Sequence, residues 1–580
     1  MGDRVTIGTL DELRRDGCLV GKAGTQPICV FWSDGTAYAL DDRCPHMGFP
    51  LHRGSVETGL VTCHWHNARF DLSSGGTLDP WADDVRAYPV DIEEDGRVIV
   101  VVEPEGDRTE YLLRRLDDGL EQGITLVVAK AVLGLLDIGV HPSEIVRAGV
   151  DFGTRYREAG WGAGLTVLTS MANVLPHLDR ADHGLALVHG LTFVSRDTRG
   201  RAPRFPLLPL GGELPAERLE GWYRRFIETR SSDAAERTLA STVATVDATT
   251  VAEIMFAAVT DHVFLDGGHT IDFTNKAFEV VDHLGWERAA DILPTLVAQT
   301  ASASRSEERG AWRFPHDLAD MIATAVGSLP ERLAAARQDG FEHGSDGVSK
   351  LAWSLLSEQP ADVVAAIDEA IVAGIDPEEL GRAVAFAAAL RITRFHTQND
   401  HGDWDEVHHA FTSANALHQA LQRAPTPELL RGVYHGALRI YLDRFLNVPA
   451  ARLPEPAAAR EGDDGADLSE LQSCWDQEGR VDDAGTIIYR YLHAGGDSSR
   501  AIATLGRALL TEDAEFHWFQ TYEAAVRQFH AWPAGSEERA LILAGTSRFL
   551  AAHTPTRREL SQVVRIATRL GRGEALFEPA

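Results

Sequence analysis

Two different hydrophobic patterns divide the chain. From Val5 to Glu103, short β-branched and apolar runs such as PICVFW, TAYAL and RVIVVV alternate with the turn signals SDG, GG and EDG, a pattern typical of short strands. Beyond Pro104, apolar residues recur three and four positions apart, as in LVVAKAVLGLLDIGV and RAVAFAAALRITRF, which predicts amphipathic helices. The predicted fold class is multidomain, with a small all-β domain at residues 1–105 followed by a large all-α region.

The helical region carries an internal duplication. IGVHP at 138–142 corresponds to AGIDP at 373–377, and SMANVL from Ser170 corresponds to TSANAL from Thr412. Three histidine pairs follow in the same order in both halves: His189 with His435, His269 with His517, and His283 with His530. Because a repeated order is the signature of repeated supersecondary units, we predict two similar helical repeats, at residues 106–345 and 346–580.

Composition limits the partners and the compartment. The chain has 55 basic and 86 acidic residues, a net charge of −31, so nucleic acid and anionic membrane surfaces would repel it. The start MGDRVTIGTL lacks the features of a signal peptide, and no apolar run approaches the ~20 residues that span a bilayer. Five cysteines are too few for a secreted protein held by disulfides. We expect a cytoplasmic protein without nucleic-acid or membrane partners.

One motif in the β domain has the composition of a metal site. CPH at 44–46 is followed, after sixteen residues, by CHWH at 63–66. This arrangement resembles the Rieske signature, and zinc sites of the Cys₂His₂ type use different spacings. The resemblance implies a [2Fe-2S] cluster with two thiolates on one iron and two imidazoles on the other. The implied ligands are Cys44, Cys63, His46 and His66.

Four positions differ from the respiratory branch of this family and indicate which branch the chain resembles. That branch has a cysteine in each loop where this chain has Phe49 and Trp65, and hydroxyl donors where this chain has Ala68 and Phe70. Losing hydrogen-bond donors destabilises the reduced cluster, so we predict a low potential. Low-potential Rieske ferredoxins and ring-hydroxylating oxygenases relay electrons from a reductase toward an oxygen-activating site. The resemblance therefore implies a reductase or ferredoxin as donor, with O₂ and a small-molecule substrate.

Histidines make the helical region the candidate acceptor. Imidazole is a common ligand for iron, copper and zinc, and a pseudo-twofold axis between the repeats would bring His189 and His435 face to face. Glu406 and His409 form E-x-x-H, half of a carboxylate-bridged di-iron pattern. The candidate catalytic residues are His189, His435, His409 and Glu406. A tentative second site, for an additional non-haem iron, comprises His189, His269, His283, His435, Glu406 and His409.

Each of these histidines could instead have a structural role, as a hydrogen-bonded residue between packed helices, rather than a role in metal binding or catalysis. Asp179, His183 and His189 come nearest to the D-x2-H-x4–5-H iron signature of helix-grip oxygenases, but their first gap is one residue too long. IGVHP, ALVHGL and the segment from His269 to His283 are instead similar to the questin-oxidase-like family. Those helical proteins are linked to oxidative ring cleavage, which implies an aromatic polyketide-type substrate.

The function predicted from these features is that of an oxidoreductase, an oxygenase in which the Rieske cluster supplies electrons to a site in the duplicated helical domain. The alternative is a non-oxygenase electron-transfer or redox-sensing protein whose helices form a partner-binding scaffold. Ring-hydroxylating relatives pass electrons to a neighbouring subunit, so the resemblance also implies a homo-oligomer.

Overall fold

The computed structural model describes residues 3–102, 107–156, 160–212, 214–308, 315–337, 340–456, 468–574 and 576. These residues fall into two compact units, Met1–Ala148 with Leu560–Ala580, and Gly149–Glu559. The predicted fold class is confirmed, since a small β domain precedes a large helical region. The first unit extends beyond the β domain into the following helices, while the predicted division at residues 105 and 345 stays a prediction.

The β domain consists of three small antiparallel sheets. Their orders are β1-β10-β9, β2-β3-β4-β8 and β5-β6-β7. The strands are β1 (Asp3–Thr9), β2 (Cys18–Ala23), β3 (Gln26–Ser33), β4 (Thr36–Asp41), β5 (Ser55–Glu57), β6 (Leu60–Thr62), β7 (Arg69–Asp71), β8 (Ala87–Tyr88), β9 (Val90–Ile92) and β10 (Arg97–Val102). Helix α1 (Leu10–Asp16) begins at a capping box in which Thr9 and Glu12 satisfy each other's amides.

Strand β3 explains the uninterrupted apolar run PICVFW. Successive side chains of a strand point to opposite faces. Cys29 and Phe31 therefore enter the core that surrounds the two motif loops, while Ile28 and Val30 enter a second core behind the sheet. Because both faces of β3 are covered, the run lacks the polar alternation of a half-exposed strand.

The rest of the described chain is mainly helical, with loops between the helices. The longer helices are α2 (Thr109–Gln122), α3 (Thr125–Asp137), α4 (Pro142–Arg155), α5 (Ala163–Val174), α6 (His183–Thr198), α7 (Ala216–Glu228), α8 (Ser232–Thr245), α9 (Ala248–Thr260), α10 (His269–Leu284), α11 (Ala289–Ile292), α12 (Val297–Ser302), α13 (Leu318–Gly327), α14 (Leu329–Ala334), α15 (Ser345–Ser354), α16 (Pro360–Ala373), α17 (Pro377–Thr393), α18 (Trp404–Arg423), α19 (Pro427–Leu442), α20 (Ser469–Trp475), α21 (Val481–His493), α22 (Ser498–Thr511), α23 (Phe516–His530), α24 (Glu537–His553) and α25 (Glu559–Gly571). Over the described ranges, every helix is too short or too polar to cross a bilayer.

Four helices form the centre of the second unit. Helices α10 and α23 each pack against both α5 and α18, so α10 lies diagonally opposite α23 in a four-helix bundle. The aligned segments of the predicted duplication lie on these same pairs, α5 with α18 and α10 with α23. Helix α6 packs closely on α5 because Gly190 leaves room, as a Cβ there would lie 2.7 Å from the Leu168 Cα. A twofold relation between repeats would give this arrangement of equivalent helices.

Candidate metal centres

The two motif loops have the same backbone geometry. In the first, the Cys44 amide donates to the Phe49 carbonyl and the Gly48 amide donates back to the Cys44 carbonyl, both at 2.7 Å. The Cys63 loop repeats both bonds at 2.8 Å. Gly48 and Asn67, which occupy equivalent positions, have φ of 83° and 63°, a region that glycine and asparagine tolerate best. The local sequence thus folds each loop into a tight turn.

The two cysteines lie side by side in the core. Cys44 and Cys63 are 2% and 1% exposed. A hydrogen bond between the two thiols raises the pKa of Cys44 and lowers the pKa of Cys63, and the amides of Trp65 and His66 also hold the pKa of Cys63 down. Backbone amides aimed at a buried sulfur stabilise its thiolate form. This pair of sulfurs is suited to bind one iron.

The two histidines lie on the more accessible side of the loops. The ring centroids of His46 and His66 are 4.8 Å apart, with the rings nearly perpendicular at 84°, and His66 is exposed. Burial and the neighbouring His66 lower the pKa of His46 to about 4, so its imidazole is neutral. The buried Nδ1 of His46 has no hydrogen-bond partner within the described ranges. An orphaned nitrogen beside two thiolates fits the donor set of a Rieske [2Fe-2S] cluster.

Three residues that sequence reasoning missed hold the first loop in place. The ring of His46 contacts Trp81, with centroids 4.7 Å apart. Lys130 of α3 donates to the Pro45 carbonyl at 2.8 Å and is ion-paired with Asp83. Trp81 and Asp83 follow the motif in the same domain, but Lys130 lies far along the chain in a helix. The local sequence gives no sign of this contact, because only the tertiary fold brings α3 next to the first loop.

The positions that depart from the respiratory branch are filled by apolar contacts. Phe49 and Trp65, one from each loop, have ring centroids 6.1 Å apart, so an aromatic contact joins the loops where a disulfide would need cysteines. Ala68 and Phe70 are fully buried and bring no hydroxyl to the loops. The environment of the predicted cluster is therefore poor in side-chain donors, as the sequence predicts.

The candidate pair His189 and His435 does not meet across a shared cavity, which corrects the sequence-based expectation. His189 is buried in α6, and its Nε2 lies 2.9 Å from the Leu510 carbonyl. His435 of α19 instead contacts Phe264, with ring centroids 6.1 Å apart. Each histidine has its own partner, the Leu510 carbonyl for His189 and the Phe264 ring for His435.

Two further candidates are also bound elsewhere. His283 lies at the end of α10, where its Nε2 contacts the Asn173 Oδ1 at 2.7 Å. The carboxylate of Glu406 is ion-paired with Arg439 and is half exposed. Asp179, from the helix-grip alternative, pairs with Arg507 on the surface. The six residues of the tentative second site therefore do not form one site.

The structure does bring two of the six together, with a third histidine that completes them. His269 begins α10, His409 lies in α18 and His517 lies in the first turn of α23. The Nε2 atom of His517 is 2.9 Å from that of His409 and 3.4 Å from that of His269. All three ligand atoms lie within 4.8 Å of one another. Sequence alignment had paired His517 with His269 as repeat equivalents, but only the bundle adds His409.

A buried charged network continues along the same bundle. Lys276 of α10 donates to Glu279 at 2.8 Å and to Glu523 of α23 at 2.7 Å, and the three side chains are 1%, 5% and 1% exposed. Burial disfavours the charge, but Lys276 holds the pKa of Glu279 below its ordinary value. Burial raises the pKa of Asp272 to about 7. The bundle interior is thus polar, with opposite charges compensating one another.

Comparison with known proteins places the motif in a defined family. Residues 3–89 match the model of the Rieske [2Fe-2S] domain. The 3-phenylpropionate/cinnamic acid dioxygenase ferredoxin subunit of Photorhabdus laumondii is 36% identical over 101 residues, which are 17% of this chain and 94% of that protein. The ferredoxin component of the naphthalene 1,2-dioxygenase/salicylate 5-hydroxylase systems of Ralstonia is 33% identical over 91 residues, 15% of this chain and 86% of that protein.

A longer relative is matched over a small part of its length. Apoptosis-inducing factor 3 of Mus musculus is 40% identical over 73 residues, which make up 12% of either chain. All three similarities are short relative to the 580 residues, so they concern a single domain. The function of the helical unit has to be argued from its own residues.

Proposed function

The chain belongs to the Rieske [2Fe-2S] family, and from that premise we propose that it is an oxidoreductase of the oxygenase type. It would receive electrons at the Rieske site and use them for O₂-dependent oxidation of a small molecule in its helical unit. A Rieske cluster, when bound, supplies reversible one-electron transfer at a potential set by its surroundings. Relatives that serve as ferredoxin components of dioxygenases support the redox part of this proposal.

One observation carries the proposal: the ligand set is buried on its sulfur side and open on its imidazole side. Cys44 and Cys63 are enclosed in the core, whereas His66 is exposed. Electrons can therefore enter or leave through an imidazole edge without exposing the sulfurs to solvent. Such a site suits a domain that exchanges electrons with other centres rather than one that reacts with substrate itself.

The proposal also includes a substrate class. The two ferredoxin relatives are named for dioxygenase systems that act on aromatic compounds. The resemblance of the helical segments to questin-oxidase-like proteins points in the same direction. We therefore propose an aromatic small molecule, of the polyketide type, as the substrate, and a reductase or a ferredoxin as the electron donor.

The experiment uses the full chain, purified without oxygen. Dithionite reduction should produce the electron paramagnetic resonance signal of a reduced Rieske cluster in the wild type. NADH with a reductase from a dioxygenase system should then drive O₂ consumption, which a panel of anthraquinones and related phenols should raise. Cys44→Ala and His66→Ala should lose both the signal and the NADH-driven O₂ consumption, because each removes a cluster ligand.

His64→Ala is the matched control, since His64 is exposed in the same loop and lies outside the proposed ligand set. It should retain the resonance signal and the O₂ consumption. If the wild type has a reducible cluster but consumes no more O₂ than Cys44→Ala with any compound of the panel, the oxygenase proposal is wrong. That result would favour the electron-transfer or redox-sensing alternative.

A further inference from the structure

We propose that His269, His409 and His517 bind one divalent transition-metal ion through their Nε2 atoms, at the end of the central bundle of the helical unit. The site joins one histidine from each of α10, α18 and α23. The choice of iron as the native metal rests on the proposed function. The binding site itself rests on the geometry below.

The spacing of the three nitrogens agrees with metal coordination. A first-row metal holds imidazole nitrogens at about 2.0–2.1 Å. Two such nitrogens lie about 2.9 Å apart at a right angle and about 3.4 Å apart at a tetrahedral angle. The observed separations from His517 are 2.9 Å to His409 and 3.4 Å to His269. One ion can therefore bridge His517 to either neighbour at these separations, and the ligand atoms of His269 and His409 lie within 4.8 Å of each other.

Hydrogen bonding among the histidines alone leaves the cluster incompletely satisfied. The Nδ1 of His269 lies 3.0 Å from the Asp266 carbonyl, so the proton of that ring belongs on Nδ1 and its Nε2 carries a lone pair. A proton on the His517 Nε2 can be donated to one neighbour, either His269 or His409. The Nε2 lone pair of the remaining histidine then has no hydrogen-bond donor within the cluster. A cation at the centre would accept all three lone pairs.

A hydrogen bond at the second ring nitrogen, Nδ1, orients His269 as such bonds do in metal sites. Metal-bound histidines usually donate the other ring N–H to a carbonyl or a carboxylate. The Asp266 carbonyl serves His269 in this way. For His517, the Asp405 Oδ1 is 4.0 Å from the Nδ1, which is beyond hydrogen-bond distance. The Asp266 carbonyl thus directs the Nε2 of His269 toward the common centre.

The chemistry of the donor atoms indicates the class of metal. All three proposed ligands are imidazole nitrogens. Such ligands favour iron, copper or zinc over magnesium or calcium, which prefer oxygen.

Space for a small ligand lies beside the site. A cavity of about 50 Å³ is lined by Gly268, Ile271 and Ser413 among other residues. Gly268 precedes His269, and the Ser413 hydroxyl donates to the His409 carbonyl, so the cavity borders two of the three ligand residues. A water needs roughly 10–15 Å³ of such volume. The cavity therefore has room for a few waters or a diatomic molecule next to the proposed ion.

The duplication explains why there is one such site. His269 and His517 are equivalent in the predicted repeats and meet near the axis between them. His409 has no histidine counterpart, since Val167 occupies its aligned position in α5. Two duplicated ligands and one ligand unique to the second half produce a single, asymmetric site in each chain.

The test measures metal content in the full chain. We expect about one metal ion per chain beyond the two cluster irons, with cluster content determined separately from acid-labile sulfide. His409→Ala and His517→Ala should lose the additional ion and keep the sulfide. His530→Ala is the matched control because His530 is exposed at the far end of the same helix α23, and it should retain the ion.

A cobalt titration provides a second readout. After mild chelation, one equivalent of Co²⁺ should produce visible ligand-field bands in wild type and in His530→Ala, recorded as a difference from the cluster spectrum. The bands should be absent in His517→Ala with unchanged helical circular dichroism. Equal metal uptake by His517→Ala and wild type, or no additional ion and no cobalt bands in folded wild type, would overturn the proposal.

The outcomes separate this proposal from the proposed function. Additional zinc that is lost in His517→Ala, with no O₂ consumption by wild type, would support the metal site and overturn the oxygenase proposal. NADH-driven O₂ consumption without an additional ion would support the oxygenase proposal and overturn the metal site. Additional iron that is lost together with O₂ consumption in His517→Ala would support both.

Discussion

Replacing Lys276 by methionine tests whether the charged network stabilises the helical bundle. The change removes the buried ammonium that donates to both Glu279 and Glu523, at 2.8 and 2.7 Å. Removing one partner of a buried ion pair costs about 3–5 kcal/mol, because a charge is left without compensation. Arg527 remains 3.2 Å from Glu523 and 3.7 Å from Glu279 but is 40% exposed, so it compensates only in part. We expect about 3 kcal/mol, near the lower end of that range.

The expected shift in melting temperature follows from the size of the unit. Residues 149–559 form a unit of about 410 residues, and unfolding entropy is about 2.1 cal/mol/K per residue. A loss of about 3 kcal/mol then lowers the Tm by roughly 3–4 °C. Circular dichroism at the helical band reports mainly this unit, while bleaching of cluster absorbance reports the first unit, which should be unaffected.

The effect of Lys276→Met should depend on pH with a definite sign. The wild-type pKa of Glu279 is held below its ordinary value of 4.5, so the stability it contributes is present above that pH and lost as pH falls through the lowered pKa. Without Lys276, the effect of burial is less compensated and the pKa of Glu279 should rise, so the variant gains less stability than the wild type as pH rises. The difference in Tm should therefore be largest near pH 7 and shrink as the pH approaches the ordinary value.

Two further variants control this experiment. Lys350→Met removes a lysine that is 70% exposed, and it should leave the Tm unchanged because exposed pairs contribute little. Adding Glu523→Gln to Lys276→Met should restore part of the lost stability by removing one uncompensated carboxylate. An unchanged Tm for Lys276→Met at pH 7, or a loss that does not depend on pH, would show that the network is not a compensated ion cluster.

Two other predictions concern the turn of a cluster loop and the buried acid Asp272. Asn67 has φ of 63°, so Asn67→Val should destabilise the first unit by about 1–2 kcal/mol. Asn67→Gly should leave the stability of this unit unchanged. The urea concentration at which the cluster bleaches measures both effects, and the same midpoint for Asn67→Val and Asn67→Gly would exclude backbone strain. Burial raises the pKa of Asp272 from 3.8 to about 7, so its ionisation makes stability fall as pH rises between these values. In Asp272→Asn, the Tm measured as a function of pH should lack this contribution to the decline. If the Tm of wild type and variant changes with pH in the same way, the raised pKa of Asp272 is contradicted.

The cluster loops were predictable because their information is local. Each loop closes within a few residues of its cysteine, and the positive φ values fall on Gly48 and Asn67, residue types that tolerate them. Ligand type and spacing therefore sufficed to identify the Rieske site. The supporting contacts of Trp81 and Lys130 were not predictable in this way, since they depend on how a later loop and helix pack on the motif.

The helical histidines show the opposite case. The sequence-based set of five histidines and Glu406 contains only two residues that come together, His269 and His409. His189 and His283 are equally good ligands by chemistry, yet each has a separate hydrogen-bond partner. A helix places every third or fourth side chain on one face, and sequence does not tell which face meets which neighbour.

By itself, therefore, the sequence determined the β domain with its Rieske motif and the helical character of the remainder, and it predicted the four cluster ligands. It also paired His269 with His517 through the predicted duplication. Tertiary structure alone decided that these two meet His409, that Lys276 joins two buried glutamates, and that His189 and His435 lie apart. The physical reason is that strand alternation, turns and ligand spacing are properties of neighbouring residues, whereas a site between helices depends on the rotation and diagonal placement of segments far apart in the chain.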